Sequence, residues 1–129
     1  MGDALADDTV LERVRAICHS LPETEQAELQ SRPLFRVRRR RFVIFNGSQA
    51  PDRPRWDGCG QSLHLLTDPL ERDALSQDSR FFVSPHHGDC GWYALRLGQS
   101  KVHWVEVAEL IESAYRQAAP RTLRDVLDR

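Results

Sequence analysis

The stretch SPHHGDCGW, residues 84–92, places His86, His87, Asp89 and Cys90 close together in the chain. Two chemistries could use such a cluster. Zinc would take about four nitrogen, sulfur or oxygen ligands in a tetrahedral arrangement, with Cys59 and His64 as distant recruits. Neighbouring residues of a strand or loop point in different directions, so His86 and His87 converge on one ion only with special backbone geometry. A nucleophilic cysteine would need Cys90 as thiolate with His86 or His87 as its base. A thiolate is favoured at a helix start or beside a cation, and neither signal flanks Cys90. Serine-elbow, P-loop and dinucleotide glycine patterns are all missing from the sequence. No catalytic or metal-binding residue is therefore assigned, no cofactor is expected, and the chain reads as non-enzymatic. SPHHGDCGW is most simply a shaped connection between two strands.

Arginine is the other residue with chemistry to offer. Residues 32–55 hold eight arginines against the single acid Asp52, whereas residues 3–31 hold seven acids against two arginines. Arg36, Arg38, Arg39, Arg40 and Arg41, with Arg53 and Arg55 further on, could make charge-assisted bonds to a phosphate backbone. Two plainer explanations compete with that reading. The chain uses seventeen arginines and one lysine, so arginine fills ordinary surface positions. Phe35, Phe42 and Phe45 alternate around the cluster as core-facing residues would.

The elements that must position these groups follow from hydrophobic periodicity. A helix is expected from a capping box at Thr9 and Glu12, along Val10, Val14, Ile17, Cys18 and Leu21, to a stop at Pro22. Cys18 lies on its apolar stripe and reads as a core residue. Segments 34–38 and 41–45 form a hairpin with the four arginines 38–41 at its tip. Arginine reaches positive φ with difficulty, which predicts a longer or bulged turn there. A turn follows at Asn46 and Gly47, then a loop to residue 60 in which Trp56 packs back on the body. Residues 62–66 make a third strand, and Asp68 with Pro69 opens a short helix to about Gln77. Segments 80–84 and 92–97 are two more strands. An amphipathic helix over 103–118 and a last turn or two after Pro120 complete the chain.

The order is α-β3-α-β2-α: an α+β two-layer sandwich with an antiparallel sheet of about five strands and helices on one face. At 129 residues, 40% hydrophobic and 29% charged, residues 1–129 fit one globular domain. No apolar run reaches the ~20 residues of a membrane helix, and the start MGDALADDTV is acidic without an apolar core. Three widely spaced cysteines suit free thiols in a reducing compartment. A cytoplasmic location is expected.

Four segments in order, ICHSLPETE (17–25), PLFRVRRRRFVIF (33–45), SRFFVSPHHGDCGWYALRL (79–97) and VHWVEVAELIESAYRQAAP (102–120), resemble the MmcQ/YjbR family over roughly residues 9–125. The resemblance implies a small α+β domain similar to bacterial frataxin and to secretion chaperones, sometimes called a double-wing arrangement. It also implies the DNA-binding label that members commonly carry. Relatives read approximately FF-x-PP-Y-x-G-x-x-GW at the third segment. Pro85, Gly88, Gly91 and Trp92 match this pattern, while His86, His87, Asp89 and Cys90 fall at variable or departing positions. Three further departures stand out. Arg39 and Arg40 replace the family's usual glycine or lysine at the hairpin turn. His64 replaces a lysine in the third strand. His103 replaces an aspartate before Trp104, and loss of such a cap typically costs ~1 kcal/mol.

The expected function is a non-enzymatic domain that contacts DNA phosphates through the hairpin arginines and the two in the following loop, without clear base readout. The alternative is a module for a protein or a small ligand, using the sheet face or a pocket near Trp56, His86 and Trp92. Frataxin-like iron binding is disfavoured, because the N-terminal acids spread along a helix and its approach rather than forming a dense ridge.

Overall fold

A computed structural model describes residues 2–29, 32–47, 61–85, 91–97 and 102–129, the side chains of 2–8 excepted. The chain runs α1 (Gly2–His19), β1 (Thr24–Leu29), β2 (Arg32–Val37), β3 (Arg40–Asn46), β4 (Ser62–Leu66), α2 (Arg72–Ser76), β5 (Phe81–Val83), β6 (Trp92–Arg96), α3 (Trp104–Ala118) and α4 (Arg121–Leu127). All six strands join one antiparallel sheet in the order β1-β2-β3-β4-β6-β5. The α+β class and the helix-covered face agree with the sequence reading. No described helix is long and apolar enough to cross a membrane.

Two details differ from expectation. α1 begins at Gly2, so Thr9 and Glu12 lie inside the helix and not at its start. The second is β1, a sixth strand that the acidic TEQAEL sequence does not advertise. It sits at the sheet edge, pairing Thr24 with Val37 and Leu29 with Arg32.

The core lies between the sheet and the helices. Phe35, Val37, Val43, Phe45, Leu63, Leu65, Phe81 and Leu95 meet Val14 and Cys18 of α1 and Val107, Ile111, Ala114 and Tyr115 of α3. Burial pushes the Cys18 thiol far up, away from the reactive thiolate. Tyr115 packs edge-on against Phe42 with ring centroids 5.5 Å apart, and its hydroxyl donates to the Pro22 carbonyl at 2.7 Å. That one bond ties α3 to the segment where α1 ends.

The expected helix after Asp68 forms in two parts: the Asp68 carboxylate accepts from the Leu70 amide at 2.9 Å and caps a single 3-10 turn, Pro69–Glu71, which leads into α2, where Glu71 at the cap position makes no side-chain capping bond. His103 occupies the cap position of α3 and makes no side-chain capping bond there. At the other end of the sheet Arg80 donates to Asp78 at 2.7 Å and to Glu106 of α3 at 2.6 Å. It pins the edge strand β5 to the helical layer.

Candidate functional site

β2 and β3 are joined by Arg38 and Arg39 alone, because Val37 and Arg40 are direct partners. Both turn residues are left-handed, with φ of 48° and 70°. This is the geometry of a tight hairpin turn whose twist matches its strands, normally built from asparagine and glycine. Neither the longer nor the bulged turn expected from the sequence forms; the irregularity of the hairpin lies inside its strands, as a register shift between Phe35 and Arg36. What holds Arg38 is an ion pair. Its Nε and Nη2 donate to the two oxygens of Glu23 at 2.5 and 2.9 Å, and Glu23 is itself left-handed at φ 59°. The bond to Arg38 holds the Glu23 carboxyl below the usual range. Left-handed backbone costs a non-glycine residue roughly 1–2 kcal/mol. Three such residues therefore meet at one point of the surface.

The five hairpin arginines divide accordingly. Arg36 pairs with Glu25 at 3.4 Å and Arg38 with Glu23, so two are matched by carboxylates at or beside β1. Arg39, Arg40 and Arg41 are exposed and make no ion pair among the described residues. Since β1 runs level with the tip, pairing Thr24 with Val37, the hairpin does not project as a free two-stranded ribbon. Arg53, Arg55 and Trp56 of the expected site, and His86, lie outside the described residues.

The sheet face away from the helices carries a second set of polar groups. Arg32, Asn46, Ser62, His64 and Ser84 are buried there, Arg32 at 1% and His64 at 0% exposure. Strand register puts Asn46 beside Ser62 and His64 beside Ala94. Arg32 Nε donates to Asn46 Oδ1 at 2.7 Å. His64 Nε2 lies 2.8 Å from Ser62 Oγ and its Nδ1 2.7 Å from Ser84 Oγ. Ala94 intervenes between the strands of His64 and Ser84, and its small side chain lets the ring reach across. The imidazole also stands edge-on to Phe82 at 5.8 Å. With both ring nitrogens bonded to serines, His64 is not available as the distant zinc ligand considered above. Trp92 lies on this face too, buried against Leu34 and Ile44. Five polar side chains under cover are costly unless each is bonded, and all five have partners.

Sequence reasoning passed over Arg32, Asn46, Ser62 and Ser84. The signal was present in SLHLL, where period-two alternation sets Ser62 and His64 opposite Leu63 and Leu65. Of SPHHGDCGW, the described ends behave as a strand connection: the Ser84 amide donates to the Trp92 carbonyl at 3.0 Å. Gly91 has φ of 90°, and a Cβ there would fall on the Arg72 guanidinium. His87, Asp89, Cys90 and Cys59 lie outside the described residues.

An antiparallel α+β sandwich with a strained basic hairpin is the class of protein these features define. A family model for YjbR matches residues 19–117, and the chain belongs to the YjbR family. Among solved structures it is similar to the crystal structure of Deinococcus radiodurans protein DR2400, a DUF419 domain, at 18% identity and a TM-score of 0.67. The match covers 92% of this chain and 87% of that one. No curated protein matches the sequence.

Proposed function

We propose that this domain is a non-enzymatic module that binds nucleic acid through the phosphate backbone, with Arg39, Arg40 and Arg41 as the contact residues. The observation that supports it is the hairpin tip. Arg38 and Arg39 hold left-handed backbone where glycine would be cheaper, and the exposed guanidiniums of Arg39, Arg40 and Arg41 have no acidic partner among the described residues. Strain of this kind persists where the surrounding structure over-determines it, often at functional positions. β1 flanking the tip argues against insertion into a groove and for contact along phosphates, without base readout. Arg36 and Arg38 position the turn through Glu25 and Glu23.

Fluorescence anisotropy with labelled random-sequence duplex and single-stranded DNA at several salt concentrations tests this reading. Three phosphate contacts give a log–log salt slope of about −2.7 on duplex. Replacing Arg39, Arg40 and Arg41 together by serine is expected to abolish binding with the fold intact. Unchanged affinity in that variant, or a flat salt response of the parent protein, overturns the assignment.

A further inference from the structure

The helical layer carries a separate concavity, on the side of the molecule away from the polar sheet face. Ala16 and Ile17 of α1 and Trp104, Val105 and Ala108 of α3 line a shallow depression of about 490 Å³, with Glu12 and Arg13 as its charged members. Its size falls within the range of small-molecule sites, which are mostly apolar with a few placed polar groups. Val105, in the first turn of α3, stands 77% exposed at the edge of the depression. Trp104 is only half-buried, and the Arg13 guanidinium lies 5.3 Å from the centre of its ring.

The charges around this groove do not balance. Glu12 is ion-paired to Arg15 one turn along α1. Arg13 has no carboxylate partner among the described residues, and its guanidinium stands over the indole. The groove therefore offers an apolar floor, an aromatic wall and one uncompensated cation. Cations and neutral ligands leave Arg13 unanswered, whereas an anion bound there gains a charge-assisted hydrogen bond.

We propose that the α1–α3 groove binds a small, flat aromatic anion, its rings against Trp104, Val105 and Ala108 and its carboxylate or sulfonate on Arg13. The site is independent of the hairpin and uses none of its arginines. It also differs from the pocket expected near Trp56, His86 and Trp92, since Trp92 is buried on the opposite side of the sheet.

The test uses the whole chain with two fluorescent probes of nearly the same shape, 8-anilinonaphthalene-1-sulfonate and its uncharged counterpart N-phenyl-1-naphthylamine. The sulfonate is expected to saturate one site and to bind more tightly than the neutral probe. Arg13→Gln should weaken the sulfonate about tenfold, the scale of one lost charged hydrogen bond, while leaving the neutral probe within about twofold. Val105→Glu, at an exposed position that does not threaten the fold, should weaken the sulfonate through repulsion. Unaltered far-ultraviolet circular dichroism is the control for both variants. Equal binding of the two probes, indifference of the sulfonate to Arg13→Gln, or binding that never saturates each overturns the proposal. So does sedimentation showing that the probe competes with a second copy of the chain, which would make the groove a self-association surface.

Discussion

On the helix-covered face of the sheet, Phe35, Val43, Phe45, Leu63 and Leu65 are buried by packing against α1 and α3. On the opposite face, beside the small apolar cluster of Leu34, Ile44 and Trp92, the polar side chains of Arg32, Asn46, Ser62, His64 and Ser84 are buried to the same degree and are held in place by hydrogen bonds. The first arrangement is non-directional and depends on volume, so similar apolar residues can replace one another at modest cost. The second is directional: His64 must sit where both ring nitrogens meet a hydroxyl, and Ala94 must stay small enough to let it reach. One sheet thus specifies its structure in two ways, by filling on one side and by bonding on the other.

Truncation on the apolar side should have the largest effect. Phe42→Ala removes a fully buried ring and its edge contact with Tyr115, and a loss of about 3–5 kcal/mol is expected from denaturant unfolding. A smaller change is expected from His64→Phe, which keeps a ring but withdraws one partner each from Ser62 and Ser84. About 1–3 kcal/mol should be lost, and adding Ser62→Ala and Ser84→Ala to that variant should restore part of it. If His64→Phe proves neutral, the contrast between the faces collapses. The smallest effect belongs to the ion pairs that fasten the layers together. Bonds from Arg80 lower the pKa of both Asp78 and Glu106 in the folded chain. Carboxyls depressed in this way stabilise the fold above their unfolded values, 3.8 and 4.5, and that contribution is lost as pH falls through the lower folded values. Exposed pairs of this sort contribute about 0.2–1 kcal/mol each. Arg80→Ala should therefore cost little at pH 7 and nothing in strong acid; an equal cost at both would assign the loss to packing.

Much of this architecture was legible in the residues. Strong alternation and aromatic content marked β2, β3, β4 and β6, and helical spacing marked α1 and α3, since these elements bury a clear apolar face. β1 was hidden because it is an edge strand: its acids Glu25 and Glu28 are exposed, and only Ala27 and Leu29 pack inward. That omission also concealed the fate of the arginines. Glu23 and Glu25, counted only among the seven acids of residues 3–31, are the partners of Arg38 and Arg36. Local sequence does not show which of several arginines a carboxylate 11 or 15 residues earlier in the chain will meet. The polar row was missed for a related reason, since Arg32, Asn46, Ser62 and Ser84 come from four different strand ends and meet only after the sheet has paired.

The left-handed turn at Arg38 and Arg39 separates what is good for folding from what the surface offers to others. Asparagine and glycine at those two positions would relieve the backbone and raise the melting temperature while stripping charge from the tip. A library screened for thermal resistance would drift toward that neutral turn. One screened for retention on a phosphate-bearing matrix would keep arginine and tolerate the lower melting point. Opposite drift in the two screens would identify the tip as the place where this small domain trades durability for contact.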